Sequence, residues 1–241
     1  MSRAALVTGS AGGIGTSICA RLRADGCTVV GLDRVPSPAA DVSVEVDLGD
    51  LTALAAVAGE LCAAHDVQAV VHNAAVQHLG GAGEVSEEAW LETLRVNVLA
   101  ADVLTGAARA RLAAAHGAVV VVSSVHARTT TRGIASYATS KAALEGWVRA
   151  AALDLAPEIR VNAVAPGAID TPKLRDGFAR WGAQSAAERL QVLLDRTPLG
   201  TLGATDDIAA AVAFLASPEA RFVTGATLHV DGGVSAGLSS E

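Results

Sequence analysis

The sequence is poor in cysteine and in long apolar runs. Its three cysteines, Cys19, Cys27 and Cys62, lack the spacing of a metal site, which favours free thiols in a reducing compartment and predicts no bound metal. No apolar run approaches the roughly 20 residues of a transmembrane helix. The first residues enter a strand pattern at once, without the features of a signal peptide. We therefore expect a cytoplasmic protein.

Basic residues are also scarce. The 241 residues include 18 Lys and Arg against 25 Asp and Glu, which gives a formal net charge of −7 and a pI near 5.3. Nucleic acids and anionic membrane surfaces attract the opposite charge, so neither is an expected partner, and a small-molecule partner is favoured. Aromatic residues reach only 3%, and Tyr137 is the single tyrosine. Any chemistry that needs a phenol must use that residue.

Apolar residues, by contrast, make up 51% of the chain. No Pro/Ser-rich linker or charge run interrupts residues 1–241, so we expect one domain. Short β-branched segments alternate with Ala-rich helical patterns, which is typical of an α/β protein with a doubly wound parallel sheet (Rossmann fold) of about seven strands and helices on both faces. The punctuated stretch 168–203 is long for a connection and is interpreted as a substrate-binding loop or lid. The predicted strands are 4–8, 27–32, 41–46, 68–72, 119–122, 159–165 and 226–230.

A glycine turn follows the first predicted strand. The pattern is Thr8-Gly9-x-x-x-Gly13-x-Gly15, and it opens a helical segment. Such a turn lets backbone N–H groups and the positive end of a helix dipole approach a pyrophosphate. A tight strand-to-helix turn without any ligand has the same composition. The ligand-binding interpretation gains support from position, because parallel sheets bind ligands at the carboxyl ends of their strands.

Acidic residues end the second and third predicted strands. Asp33 is placed to accept hydrogen bonds from the adenosine ribose hydroxyls, and it would repel a 2′-phosphate, which predicts NAD rather than NADP. Arg34 beside it could instead serve a 2′-phosphate, although a solvated loop charge is the simpler interpretation. Asp47 could receive the adenine amino group or cap the next helix, and Asp50 competes for the capping role.

Two asparagines lie on either side of a helix start. Asn73 follows the fourth strand and can tie neighbouring strands together through its amide, while Ala74 and Ala75 leave room for a cofactor. Asn97 lies inside a predicted helix over 87–115, where asparagine is unfavourable unless its side chain or the local backbone is used.

The stretch from 119 to 141 organises the chemistry. Four valines end in two serines, which predicts a buried parallel strand whose tip presents Ser124. Tyr137 and Lys141 lie one helical turn apart. A free phenol has a pKa of about 10, which is too high for proton exchange near neutral pH, and a nearby cation favours the phenolate. Ser124 can hold an alcohol or ketone oxygen. The alternative is an ordinary helical Tyr/Lys pair. No side chain supplies a hydride, so carbonyl reduction at this site requires a nicotinamide cofactor.

Candidates for the substrate pocket follow the same sheet edge. His78 begins a loop there, and His126 stands two residues beyond Ser124. Arg128 and Trp181 complete the set, together with Ser124 and Tyr137 themselves. Taken singly, each of these is also an ordinary loop residue.

Together these features resemble the classical short-chain dehydrogenases/reductases over essentially the full length of the chain. One departure is Ala75, where that family usually has glycine; the added methyl removes no chemical group. The motifs that carry the resemblance are Thr8-Gly9-x-x-x-Gly13-x-Gly15, Asn73-Ala74-Ala75, Asn97, Ser124, Tyr137-x-x-x-Lys141 and Pro166-Gly167.

The resemblance implies a role for individual residues and a homotetramer. Tyr137 would be the acid/base, and Lys141 would bind the nicotinamide ribose and lower the phenol pKa. Ser124 would orient the substrate oxygen, and Asn97 would hold a water of a proton relay. The cofactor-binding set that it implies, with Asp47 at the adenine and Thr171 at the carboxamide, is Gly9, Gly13, Ile14, Gly15, Asp33, Asp47, Leu48, Asn73, Ala74, Ala75, Tyr137, Lys141, Pro166, Gly167, Ile169 and Thr171.

The favoured function is an NAD(H)-dependent oxidoreductase that interconverts a secondary alcohol and a ketone on a sugar, a polyol or a small cyclic molecule. An NADPH-dependent 3-oxoacyl or polyketide-type ketoreductase is the alternative if Arg34 prevails over Asp33. A non-catalytic dinucleotide-sensing protein is a third possibility, and the complete Ser124, Tyr137 and Lys141 set speaks against it.

Overall fold

A computed structural model describes residues 3–179 and 183–237 of the chain. Seven parallel strands form one sheet in the order β3-β2-β1-β4-β5-β6-β7, so the predicted fold class is confirmed. The chain starts in the middle of the sheet and reverses direction between β1 and β4. The strands are β1 Ala4–Thr8, β2 Thr28–Asp33, β3 Val42–Glu45, β4 Val67–His72, β5 Ala118–Val122, β6 Arg160–Pro166 and β7 Thr227–Val230.

Helices cover both faces of the sheet, which explains why β1, β4 and β5 are mostly apolar. On one face, Leu54, Leu104 and Leu144 pack against Leu6 and its neighbours on adjacent strands. On the other face, the first and last of the longer helices form a second core. The helices are α1 Gly13–Ala24, α2 Leu51–Ala64, α3 Glu87–Leu94, α4 Ala100–Ala114, α5 Ala135–Leu155, α6 Pro172–Ala179, α7 Ala183–Asp195 and α8 Thr205–Ala216.

The helix predicted over 87–115 is interrupted. A π-helical turn at Arg95–Leu99 separates α3 from α4, and Asn97 lies at its centre. Single π-turns of this kind mark places where a side chain is built into a helix. The sequence signal was the poor helix propensity of Asn97, but propensity does not specify which irregularity replaces a regular turn.

Helix ends follow local chemistry. Asp50 caps α2 by accepting hydrogen bonds from the amides of Thr52 and Ala53, so the capping role belongs to Asp50 rather than to Asp47. The stretch interpreted as a lid contains α6 and α7, separated by residues outside the described part of the chain. Within the described residues, no helix has the length and apolar character needed to cross a membrane.

One buried hydroxyl joins the two central strands at the reversal point. Thr8 Oγ1 accepts hydrogen bonds from the amides of Asn73 and Ala74, each at 3.1 Å, and lies 3.1 Å from Nδ1 of the buried His72. With both lone pairs used, the hydroxyl donates its own proton to Nδ1. His72 is therefore neutral, with its proton on Nε2.

Burial is the main reason that the pKa of His72 falls to about 3. The positive charge of Lys141 lowers the pKa further, while backbone carbonyls of Val96 and Asn97 oppose the shift. Between about pH 6.5 and pH 3 the unfolded chain binds a proton here that the folded protein excludes. Stability from this residue is thus fully present above pH 6.5 and is lost as the pH falls.

We expect the His72→Asn variant to lose this dependence, because asparagine offers Thr8 an acceptor that does not titrate. The free energy of unfolding of the wild type relative to the variant should rise with pH by up to about 1.4 kcal/mol per unit between pH 4 and 6. Urea titrations across this range measure it. His116→Asn is the matched control, since His116 is exposed with φ 48°, a conformation that asparagine tolerates. Equal pH slopes for wild type and H72N would contradict the assignment.

Candidate active site

A cavity of about 860 Å³ runs along the carboxyl ends of the strands. It is lined by most of the residues that the sequence singled out, which come from the carboxyl ends of the first six strands and the segments after them. Those that line it are Gly9, Gly13, Ile14, Gly15, Asp33, Asp47, Leu48, Asn73, Ala74, Ala75, Ser124, His126, Tyr137, Lys141, Pro166, Ile169 and Thr171.

The glycine turn forms one end of this cavity, and its shape requires glycine. Gly9 has φ +64°, and a Cβ there would lie 2.8 Å from Cα of Ala74. A Cβ on Gly15 would lie 2.0 Å from the carbonyl oxygen of Gly9. Gly12 precedes α1, and among the described residues no side chain caps its first turn. The uncapped N–H groups and close backbone packing fit a dinucleotide pyrophosphate.

The carboxylate of Asp33 is held at the tip of β2. It accepts hydrogen bonds from the backbone amides of Ala11 at 3.0 Å and Arg34 at 2.7 Å. The Arg34 side chain is exposed and also lines the cavity. Further along, Asp47 lines the cavity and accepts the amide of Gly49 at 2.8 Å. This end of the cavity therefore presents two carboxylates on short, ordered turns.

The side chain of Asn73 forms hydrogen bonds with the backbone at the end of the neighbouring strand. Its Nδ2 donates to the carbonyl of Thr8 at 3.2 Å and to that of Gly9 at 2.9 Å. Together with the Thr8 hydroxyl, these bonds fix the β4 end against the glycine turn. Ala74 then packs under Gly9, which leaves the turn little freedom to move.

Ser124, Tyr137 and Lys141 meet in the middle of the cavity. Ser124 is the second residue after β5, and its hydroxyl interacts with that of Tyr137. The Lys141 ammonium is 1% exposed, donates to the carbonyl of Val122 at 2.7 Å, and lies 5.6 Å from the centre of the Tyr137 ring. The sequence separation of four residues thus places both side chains on the cavity side of α5.

Burial is the main influence on the titration of this group. Burial raises the pKa of Tyr137, and the Ser124 hydrogen bond opposes that rise. Burial also lowers the pKa of Lys141 to about 7, with the positive charge of Lys173 acting in the same direction. Lys141 is not among the groups that shift the pKa of Tyr137 in the protein alone, so the acidification of the phenol by Lys141 stays a prediction.

Asn97 does not line the cavity. Its side chain is fully buried, with Oδ1 accepting the amide of Val76 at 2.8 Å and Nδ2 donating to the carbonyl of Val76 and to the Ser140 hydroxyl. Ser140 in turn donates to the carbonyl of Tyr137 at 2.7 Å. Asn97 thus joins the segment between β4 and α3 to the first turns of α5. The water-holding role that the resemblance implies for Asn97 stays a prediction.

The substrate candidates separate into distinct groups. His126 lines the cavity with its ring edge-on to Tyr137 at 6.2 Å, and burial lowers its pKa. His78 lies outside the lining and pairs with Glu92 at 2.8 Å. Arg128 also lies outside it and pairs with the buried Glu145 at 3.1 Å. Trp181 falls outside the described residues.

Gly167 lies behind the cavity wall rather than on it. A Cβ there would lie 2.7 Å from Cα of Asp231, so its glycine serves packing. The lining residues that sequence reasoning missed come mostly from α6, α7 and the loop before α5. They include Thr131, Lys173, Leu174, Gly177 and Arg189. Their positions depend on how the excursion folds back over the sheet, which no local pattern specifies.

The chain is similar to known oxidoreductases along nearly its whole length. A family model described as enoyl-(acyl carrier protein) reductase matches residues 9–235. Galactitol 2-dehydrogenase (L-tagatose-forming) of Cereibacter sphaeroides is 35% identical, covering 95% of this chain and 93% of the relative. The 3-oxoacyl-(acyl-carrier-protein) reductase of Escherichia coli (strain K12) is 34% identical, with 95% and 96% covered.

Solved structures give the same result. The ligand-free aldohexose dehydrogenase of Thermoplasma acidophilum superposes with a TM-score of 0.94 at 30% identity, covering 99% of this chain and 96% of that one. A structure from Beutenbergia cavernae, described as an NAD(P)-dependent gluconate 5-dehydrogenase with bound NADP, has a TM-score of 0.88 at 34% identity, with 98% and 97% covered.

A substitution in the glycine turn tests whether this end of the cavity binds a dinucleotide. Gly15→Ala should abolish dinucleotide binding or destabilise the fold, because its Cβ meets backbone that side chains cannot move. Gly59→Ala is the matched control: Gly59 lies mid-way along α2, is exposed, and has no atom within 4 Å of an added Cβ. We expect G59A to gain about 0.5–1 kcal/mol of stability and to bind normally. NADH fluorescence titration and thermal unfolding measure both. Normal affinity in G15A would contradict the assigned cradle.

Proposed function

The chain belongs to the classical short-chain dehydrogenase/reductase family, and from this premise we propose that it interconverts a secondary alcohol and a ketone with NAD(H). The substrate would be a small molecule such as a sugar, a polyol or a cyclic alcohol. The observation that carries the proposal is the meeting of the Tyr137 hydroxyl, Ser124 and Lys141 in a cavity that ends at a glycine turn.

The cavity offers a position for each part of the cofactor. The glycine turn and the start of α1 would hold the pyrophosphate, Asp33 the adenosine ribose, and Lys141 the nicotinamide ribose. When bound, the cofactor accepts or supplies the hydride. The other residues proposed to contact it are Asp47 and Leu48 at the adenine, Asn73, Ala74 and Ala75 along the β4 end, and Pro166, Gly167, Ile169 and Thr171 at the nicotinamide. For Gly167 and Asn73 the proposed contribution is to shape the backbone.

The protein's own part is to hold a proton at the phenol oxygen. The raised pKa keeps the Tyr137 hydroxyl protonated in the free protein, which suits donation to a developing alkoxide. Ser124 would hold the same substrate oxygen by a hydrogen bond. In alcohol oxidation, the phenol must first lose its proton, and a charged Lys141 would favour that loss. Asn97 acts as a positioning residue through Ser140 and the Tyr137 carbonyl.

The preference for NAD rests on Asp33. A 2′-phosphate about 4 Å from this carboxylate at an effective dielectric of about 20 would meet a repulsion of roughly 4 kcal/mol per pair of unit charges. Because the carboxylate is tied to the amides of Ala11 and Arg34, it has little freedom to move away.

A second candidate function is an NADPH-dependent 3-oxoacyl or polyketide-type reductase. The observation that favours it is Arg34, which is exposed beside the same pocket and could bind a 2′-phosphate. The bound NADP in the similar Beutenbergia cavernae structure and the similarity to an acyl-carrier-protein reductase point the same way. A non-catalytic dinucleotide sensor gains no such support.

We further propose a cytoplasmic homotetramer in which residues 168–203 act as a lid over the substrate. Support for assembly comes from exposed apolar side chains, since a monomer gains nothing by exposing them. The most exposed on and around α5, α8 and β7 are Leu153, Phe214, Phe222 and Leu228. Static light scattering on a size-exclusion column measures the assembly, and a monomeric mass would contradict it.

Tyr137→Phe tests the acid/base. Removing the hydroxyl keeps the ring that packs near Lys141, so the fold and NADH binding should be retained. Turnover of alcohols and ketones should fall by about 10²-fold or more, the usual contribution of a positioned proton donor. Steady-state rates and NADH fluorescence titration give the two readouts. Near-normal rates in Y137F would show that another group moves the proton.

Asp33→Asn tests cofactor choice. Asparagine keeps an oxygen for the amides of Ala11 and Arg34 but loses the charge, so kcat/KM with NADP relative to NAD should rise by about tenfold or more. Asp25→Asn is the control, because it makes the same charge change at an exposed residue at the end of α1, away from the cavity. A wild type that already prefers NADPH would overturn the NAD assignment and favour the second candidate function.

A further inference from the structure

The chain contains two lysines among its 18 basic residues, Lys141 and Lys173. Every other permanent cation is an arginine, and both lysines line the cavity. A lysine ammonium is a compact charge with three rotatable donors, unlike the planar arginine fork. Sequence reasoning used only Lys141. The second lysine therefore needs its own explanation.

Lys173 belongs to the part of the fold that covers the cavity. It is the second residue of α6, next to Pro172, and Thr171 and Pro172 come within 3.3 and 3.6 Å of where a Cβ on Gly13 would lie. The first turn of α6 thus lies over the glycine turn. The Lys173 side chain is solvent-accessible because it faces the open cavity, and partial desolvation there lowers its pKa.

The charged groups around Lys173 do not include an acid that neutralises it. Its positive charge acts on the ammonium of Lys141 across the cavity and lowers the pKa of that lysine. Within the described part of the chain, no carboxylate forms an ion pair with Lys173. By contrast, Arg175 on the same helix forms a two-point pair with Asp170.

The acids that do line the cavity already have partners. Asp33 accepts two backbone amides, Asp47 accepts the amide of Gly49, and Glu92 pairs with His78. Two ammonium groups that line the same cavity repel each other, and an anion between them would reduce the repulsion. Arg189 of α7 adds another basic side chain to the lining. The covering side of the cavity is thus suited to an oxyanion.

We propose that Lys173 binds an oxyanion of the substrate, so that the preferred substrates are hydroxy acids or phosphorylated polyols rather than neutral alcohols. This inference rests on the proposed oxidoreductase function. The cofactor pyrophosphate is the other oxyanion within reach. The substrate is favoured because the uncapped start of α1 and the glycine turn already supply the donors that a pyrophosphate needs.

The test uses matched pairs of six-carbon substrates that differ in one group, an aldonate and the corresponding alditol. Lys173→Met removes the charge while keeping the chain length, and Lys173→Arg restores a cation. We expect the wild type to favour the aldonate, and K173M to lose about ten- to hundredfold in kcat/KM for it. The loss should fall mainly on KM, alditol rates should be unchanged, and K173R should recover most of the activity.

A binding measurement accompanies the rates. Calorimetric titration of the aldonate into the NADH-saturated protein should show an affinity that K173M weakens by the same factor. The control is Arg175→Met, which removes a cation of the same helix that is already paired and does not line the cavity. This variant should behave as the wild type in both measurements.

The possible failures are distinguishable. If K173M weakens NADH binding and leaves the aldonate-to-alditol ratio unchanged, the oxyanion is the pyrophosphate and the inference is overturned. If the wild type oxidises neutral alditols as well as aldonates, and K173M matches it, the inference fails while the proposed function stands. If no member of the panel is turned over, the proposed function fails, and calorimetry still decides whether Lys173 binds a carboxylate.

Discussion

The site depends on the hydrogen bond that the buried ammonium of Lys141 donates to the Val122 carbonyl. This bond joins the end of β5 to α5 at a point with 1% exposure. A cation in such a place is costly unless its partners are close. This ammonium donates to the Val122 carbonyl, and burial lowers its pKa to about 7. The group is therefore poised between its charged and neutral forms. The charge of Lys141 in turn lowers the pKa of the buried His72.

The site could form only because the sheet fixes its strand ends. Parallel strands bring their carboxyl ends to one edge, and the reversal between β1 and β4 opens a crevice there. Thr8 and Asn73 close this crevice at its base, through five hydrogen bonds that join the glycine turn to the β4 end. The neutral His72 is part of the same arrangement. The polar groups inside the sheet are thus structural supports for the cavity floor.

Much of this could be predicted from the sequence, for reasons that are local. A strand buried on both faces is mostly apolar, so β1, β4 and β5 were visible as apolar runs, with ends correct to about one residue. Glycine at 9 and 15 reflects backbone contacts that allow no other residue. The four-residue spacing of Tyr137 and Lys141 placed both on one side of α5. In each case neighbours along the chain determine the geometry.

The remainder depended on contacts between distant segments. The π-turn at Asn97 exists because its side-chain amide forms hydrogen bonds with Val76 and Ser140. The direction in which the pKa of Tyr137 shifts depends on how completely α5 is covered. The same holds for the charge of the cavity. A net charge of −7 would disfavour anionic ligands if it acted at long range, but screening limits such effects to about 8 Å at physiological ionic strength. Within that distance the covering helices contribute Lys173 and Arg189. The proposed preference for an oxyanion therefore rests on local cations rather than on the overall charge.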